Sequence, residues 1–285
     1  MTESGMTDLG MTDTGTRRAV RAFSPARVYA MVLRYVYLLR GSWPRILELI
    51  YWPTIQMIIW GFTSQFMATN SSWVGQAFGV LLGAVLLWDV FFRGQLGVSI
   101  SFLEELWSRN LGHLFVSPLR PLEWAVSLLV MSFIRVMIAM LPAALLAIPM
   151  FGYSVFTLGL PLAAFVANLL VASWAVGMAI GAMLLLNGLG AEGLAWLAVF
   201  ILSPVSAVYY PVSVLPGWLQ VVAFALPTSH VFEGMRKVMF DHVFSWSEMA
   251  WATGLNVVYM ALGAAFFLWA FHRARIRGSI LQTGE

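Results

Sequence analysis

The sequence predicts an all-α polytopic membrane protein: six transmembrane helices, an N-terminal amphipathic interfacial helix, and re-entrant helices before the last span. Composition is the first reason. Sixty per cent of the residues are hydrophobic and 10% are charged, with a mean hydropathy of +0.83, values foreign to a soluble domain. Length is the second. A spanning helix needs roughly 20 mostly apolar residues, and six runs supply them, at 46–66, 74–99, 122–150, 161–186, 193–212 and 249–271. The third is where arginine falls. Arg17, Arg18, Arg21, Arg27, Arg34, Arg40 and Arg45 precede the first run, Arg93, Arg109 and Arg120 lie at the second connection, and Arg273, Arg275 and Arg277 follow the last. Six crossings put all three groups on one side, whereas the connections at 67–73 and 151–160 carry no charge. Arginine collects on the cytoplasmic side, so both termini are expected there.

Residues 1–23 are polar and rich in Gly and Thr, as a disordered cytoplasmic tail would be. They lack the apolar run of a secretory signal, so this end is expected to be uncleaved. A single membrane domain follows over 24–277, with a short cytoplasmic tail at 278–285. Ser24-Pro25 has the form of a helix start, a capping serine before a proline at the first helical position. Val28, Val32, Tyr35, Val36 and Leu39 then share one face and Arg27 and Arg34 another. That pattern predicts a helix lying along the inner membrane surface, closed by Gly41-Ser42-Trp43-Pro44. Pro53 should bend the first span, and Pro142 should bend or break the third. Trp43, Trp73, Trp124, Trp218 and Trp246 read as interfacial belts.

Between the second and third spans, residues 101–124 predict a short amphipathic helix. Glu104 and Glu105 come early and Arg109 late, matching the helix dipole. Leu103, Leu106, Trp107 and Leu111 give it an apolar face, and Gly112 and Pro118 end it. Such a helix either rests on headgroups or receives a cytoplasmic partner. In the fourth span Ser173, Gly177 and Gly181 recur every fourth residue, a small-residue stripe for close helix packing, within the chain or between subunits.

Residues 201–237 are almost wholly apolar, yet Pro204, Pro211, Pro216 and Pro227 cut them. Each proline removes a backbone donor, so no straight helix passes. Broken backbone at membrane depth is tolerated where protein or a water-filled cavity covers it. The expected picture is a helix ending near Tyr209 and Tyr210, then a re-entrant region over 213–240. Glu233, Arg236, Lys237 and Asp241 should then sit on the outer side. Charges within spans need partners. Asp89 and Arg93, four apart, can pair on one helix face. Arg135 should meet Asp89, Glu192 or an anionic substrate.

Some chemistry is excluded. The chain has no cysteine, so it forms neither disulfides nor thiolate metal sites. Its one lysine, Lys237, follows Met235-Arg236, so a P-loop cannot be formed. Residues 188–193 match GxGxxG, but no strand precedes them, and a tight loop is the better reading. His113, His230, His242 and His272 are scattered, and no metal set is expected from them.

Two stretches resemble the permease subunit of type-2 ABC exporters, the class that moves polysaccharides, lipid-linked glycans and drugs. One is Asn110-Leu111 through Ser117-Pro118-Leu119-Arg120-Pro121. The other runs through Ser203-Pro204-Val205-Ser206, Tyr210-Pro211, Leu215-Pro216-Gly217-Trp218-Leu219, Leu226-Pro227-Thr228-Ser229-His230 and Glu233-Gly234-Met235-Arg236. The resemblance implies that the helix after the second span couples to a separate ATPase through Leu103, Glu104, Glu105, Leu106, Arg109 and Asn110. Two ATPase copies, carrying ATP and Mg, and a second permease copy would complete the transporter in the bacterial inner membrane. The chain itself would hold no cofactor and bind no nucleic acid. Tyr209, Tyr210, Pro211 and Trp218 would line the outer gate.

Two other readings compete. An ion-coupled secondary transporter would use Asp89 and Arg135, but it calls for two matched broken helices where one is seen. A polytopic membrane enzyme would use His230, Glu233, Asp241 and His242.

Overall fold

A computed structural model describes residues 23–70 and 78–277. The tails at 1–22 and 278–285, with Arg17, Arg18 and Arg21, lie outside the described residues. So do 71–77, with Trp73 and the start of the second predicted span. Every regular element among the described residues is helical: α1 (Pro25–Arg40), α2 (Trp43–Asn70), α3 (Phe78–Trp107), α4 (Leu111–Val116), α5 (Pro121–Phe151), α6 (Leu160–Asn187), α7 (Gly193–Val205), α8 (Gly217–Phe224), α9 (Pro227–Asp241) and α10 (Trp246–Arg277). Short 3-10 turns occupy Val155–Leu158, Gly188–Ala191 and Val212–Val214.

Among the described residues, four helices are long and apolar enough to cross a membrane: Gly79–Trp107, Pro121–Phe151, Leu160–Ala191 and Trp246–Arg277. The six predicted runs exceed this count for two physical reasons. Helix α2 has 28 residues, but beyond Glu48 its apolar run is diluted by uncharged polar residues such as Gln56, Thr63, Ser64 and Gln65. Helix α7 is apolar but has only 13 residues, because the backbone leaves the helix after Pro204.

Helix α1 starts as its sequence suggests, with Ser24 extended and Pro25 next. The Ser24 side chain makes no capping bond; its N–H instead donates to Glu123 Oε1 at 2.8 Å. Met31, Tyr35 and Leu39 form the buried stripe. Helix α2 runs on through Pro53, and α5 through Pro142 and Pro149, to a left-handed Gly152 (φ 64°). Only glycine takes that conformation without strain.

The stretch after the second span corrects an expectation. No separate helix begins at residue 101; α3 continues to Trp107 and carries Leu103, Glu104 and Glu105 in its last turns. No glycine or proline lies between Ser99 and Trp107 to stop it. It closes at Arg109 (φ 54°), where Arg109 N–H bonds Leu106 O and Asn110 N–H bonds Glu105 O, both at 3.0 Å. That is the Schellman arrangement, made here without glycine. The short helix proper is α4, and Gly112 lies inside it.

Helix α6 sits between α3 and α10. A Cβ on Gly177 would lie 2.8 Å from Val98 Cβ, and one on Gly94 would run into Ser173. A Cβ on Gly263 of α10 would lie 2.8 Å from Ala175 O. The small-residue stripe of the fourth span therefore serves packing within the chain. Two large apolar cores result, beside a small one at Ala207, Val212, Leu215 and Ala223. One, around Trp88, Phe91, Phe165 and Phe232, backs α9; the other, around Tyr35, Phe102, Trp124 and Phe267, backs α1 and α4. Trp124 is 1% exposed and donates from Nε1 to Tyr35 Oη at 3.0 Å, so it does not belong to the predicted belt. Trp43, Trp218 and Trp246 are exposed.

Candidate functional site

At the end of the bundle that holds α1 and α4, three carboxylates collect arginines from distant helices. Glu123, fully buried in the first turn of α5, accepts Arg27 Nε at 2.8 Å and Arg27 Nη2 at 2.6 Å. It also accepts the Ser24 and Arg120 N–H groups, at 2.8 and 3.0 Å. Glu105 takes Arg34 Nη1 and Nη2 at 2.5 and 3.2 Å and Asn110 Nδ2 at 2.8 Å. Glu104 takes Arg135 Nη2 at 3.1 Å and Arg45 Nη1 at 3.3 Å. Charge-assisted, two-pronged pairs of this kind fix orientation. Helix α1 is thus clamped to the end of α3 and to the start of α5. Hydrogen bonding to Glu123 raises the basicity of Arg27, and bonding to Glu105 does the same for Arg34. Burial pushes the Tyr35 phenol well above its ordinary value.

Of the six residues expected to face an ATPase, Leu103 is buried in the core and Glu105 is buried in its pair; Glu104 and Leu106 are half-buried. Asn110 is held by Glu105, and Arg109 is exposed. The side chains this corner presents are Trp107 (49% exposed), Arg109, His113 and Val116 (89% exposed). The partner of Arg135 is Glu104 rather than Asp89 or Glu192. A helix that runs unbroken to Trp107 is the signal that would have found it.

The opposite feature is the proline-broken segment. Unwinding after α7 frees backbone groups, and two charges from α9 satisfy them. Arg236 Nη1 donates to Ala207 O and Val208 O at 3.0 and 3.3 Å. Glu233 Oε1 accepts Val212 N–H at 2.7 Å and Arg236 Nη2 at 3.0 Å. Ser206 and Thr228 hydroxyls join at 2.7 Å, and Ser229 Oγ donates to the Ala223 and Leu226 carbonyls. His230 lies 2.7 Å from Glu248 Oε2 and 2.9 Å from Phe224 O, while Lys237 Nζ reaches Glu248 Oε1 at 2.8 Å. Glu233 and Arg236 therefore brace the broken backbone. His230, Glu233, Asp241 and His242 do not converge. Among the described residues no three His, Cys, Asp or Glu side chains form a metal-holding group.

The predicted gate residues make different contacts. Tyr209 stacks on Trp60 of α2, centroids 5.0 Å apart at 16°. Tyr210 Oη donates to Pro204 O at 2.8 Å. Pro211 is extended ahead of the 3-10 turn, and Trp218 is 72% exposed on α8. In α3, Asp89 and Arg93 are both buried. The two attract each other electrostatically along the helix, without a direct ion pair among the described residues, and Asp89 Oδ2 and Arg93 Nε have no hydrogen-bond partner. Arg93 lies within electrostatic reach of Glu48 on α2, and Asp89 within reach of Tyr209.

Four apolar helices of spanning length define a multi-pass membrane protein. The chain belongs to the ABC-2 type transporter family, which it matches over residues 33–240. It is therefore a membrane permease of an ABC transporter, a kind of protein that works with an ABC ATPase. No curated protein matches the chain.

Proposed function

We propose that the chain is the permease subunit of an ATP-driven exporter in a bacterial inner membrane. It moves a polysaccharide, a lipid-linked or a drug-like substrate. Its six spans comprise the four long helices plus α2 and α7, with α8 and α9 re-entrant and both termini cytoplasmic. Two permeases and two ATPases, the latter holding ATP and Mg, form the transporter, with the pathway along α2, α3 and α7 at the permease interface. The chain itself contributes no catalysis and no cofactor. Substrate leaves past Tyr209, Tyr210, Pro211 and Trp218.

The observation that carries this reading is the projecting corner at Trp107, Arg109, His113 and Val116. It stands on a base that Glu104, Glu105 and Glu123 tie to α1, α2 and α5. Force applied to the corner reaches three helices through short, charge-assisted bonds, whereas an exposed loop would absorb it. Leu103, Glu104 and Glu105 thereby act as the stiff root of the coupling element, and Arg109 and Asn110 as its hinge. Val116→Asp combined with Trp107→Ala tests it, in vesicles containing the permease and its ATPase. Nucleotide hydrolysis should continue while cargo transport is lost. Transport that stays in proportion to hydrolysis would remove the coupling assignment.

A further inference from the structure

Helix α3 carries two side chains that hydrocarbon tolerates poorly. Asp89 is 4% exposed and Arg93 9%, and among the described residues Asp89 Oδ2 and Arg93 Nε each lack a hydrogen-bond partner. An ionisable group at membrane depth persists where it meets a partner or a pathway. Their surroundings narrow the choice. Tyr209 lies within electrostatic reach of Asp89; it is 37% exposed and its ring stacks on Trp60. One helical turn along, about 6 Å by the rise per residue, Arg93 lies within electrostatic reach of Asp89 and of Glu48 on α2. The seam of α2, α3 and the end of α7 thus presents an aromatic plate followed by charges of alternating sign.

We infer that this seam selects a neutral, hydroxyl-rich group, of which a hexose ring is the simplest example. This inference rests on the reading of the chain as a permease whose pathway follows these helices. A cationic group drawn to Asp89 meets Arg93 a turn later, and an anionic group meets the reverse. In a poorly screened interior that repulsion is strong. Purely apolar cargo leaves both open valences unfilled. A neutral ring with several hydroxyls donates to Asp89 and accepts from Arg93, and its C–H face lies on the Trp60–Tyr209 plate. The ring reaches the two charges when α2 and α7 part from α3.

The test uses the full chain in lipid nanodiscs without any ATPase. Three tritiated probes share one dodecyl chain and differ in the head: a glucoside, a trimethylammonium and a phosphate. The native chain should hold the glucoside about tenfold tighter than the other two. Asp89→Asn should turn the preference to the phosphate and Arg93→Gln to the ammonium. The double variant should return it to the glucoside. Should the charge variants fail to fold, as read by melting, Trp60→Leu decides: it should weaken the glucoside alone, again about tenfold. Equal affinity for the three heads, or variants that weaken all three alike, would overturn the inference. Because nucleotide plays no part, that result leaves the permease reading standing. Failed coupling at Val116, conversely, leaves the head-group preference untouched.

Discussion

The two ends of the bundle use the same bond for opposite purposes. At the α1–α4 end, arginine meets carboxylate across long sequence separations, joining helices that are each complete. In the proline-broken segment, Arg236 and Glu233 are three residues apart and turn mainly to backbone, replacing helical bonds that the prolines removed. The first kind of pair ties regular elements together; the second makes an irregular one tolerable in hydrocarbon. The same residue type therefore fails differently. Loss of a tie should loosen a joint between intact helices, and loss of a brace should leave orphaned carbonyls.

The largest effect should come from the tie with two arginines. Glu104→Lys sets a third cation against Arg45 and Arg135, and Arg135 is 7% exposed. Uncompensated buried charge typically costs about 3–5 kcal/mol. Melting of the purified protein should fall steeply or the chain should not accumulate, while Glu104→Gln should be milder. Equal melting of the two variants would break the distinction between tie and spacer. Arg236→Met comes next. It strips the Ala207 and Val208 carbonyls and frees Glu233, for a loss of about 3 kcal/mol. Hydrogen exchange should rise around 207–214 ahead of the rest. Uniform exchange would mean that the brace is no more local than the ties.

The outline of this fold could be read from its punctuation, because breakers act locally. Pro25, Gly152, Gly188 and Pro227 each stand at a helix boundary, and the chain does fracture in the proline-rich stretch, although α7 ends at Val205 and not near Tyr209 and Tyr210 as expected. The ties could not be read. Arg27–Glu123, Arg34–Glu105 and Arg135–Glu104 join residues 96, 71 and 31 apart, and no local pattern selects among several arginines and carboxylates. The same gap placed Glu104 and Glu105 on a helix of their own. Their charge suggested an exposed surface, whereas the arginines of α1, α2 and α5 let them end a long buried helix. Close packing was half legible: the Ser173, Gly177 and Gly181 stripe signalled a near neighbour, and only the fold shows it to be α3 and α10.

A smaller effect tests that packing. Gly263→Ala puts its new carbon 2.8 Å from a backbone oxygen of α6, which cannot step aside, whereas Gly254→Ala on the same helix meets nothing within 4 Å. The first should cost about 1–3 kcal/mol as overpacking. The second should be neutral or slightly stabilising, since alanine favours helix over glycine. Matching melting curves would mean that α10 shifts freely against α6.

The smallest effect returns to the two ends, because each closes a helix on a left-handed residue other than glycine: Arg109 (φ 54°) after α3 and His242 (φ 54°) after α9. Glycine adopts this conformation without the Cβ penalty, so Arg109→Gly and His242→Gly should each stabilise the fold by roughly 0.5–1 kcal/mol. Their functional outcomes should nevertheless part. His242 is exposed at the end of α9, away from the projecting corner, and its replacement should leave coupled transport unchanged. Arg109 is the exposed cation of that corner, so its replacement should yield a protein that melts higher and couples less. Measuring both quantities on both variants separates a stability effect from a docking effect. Equal coupling in the two would show that Arg109 is there only to turn the chain.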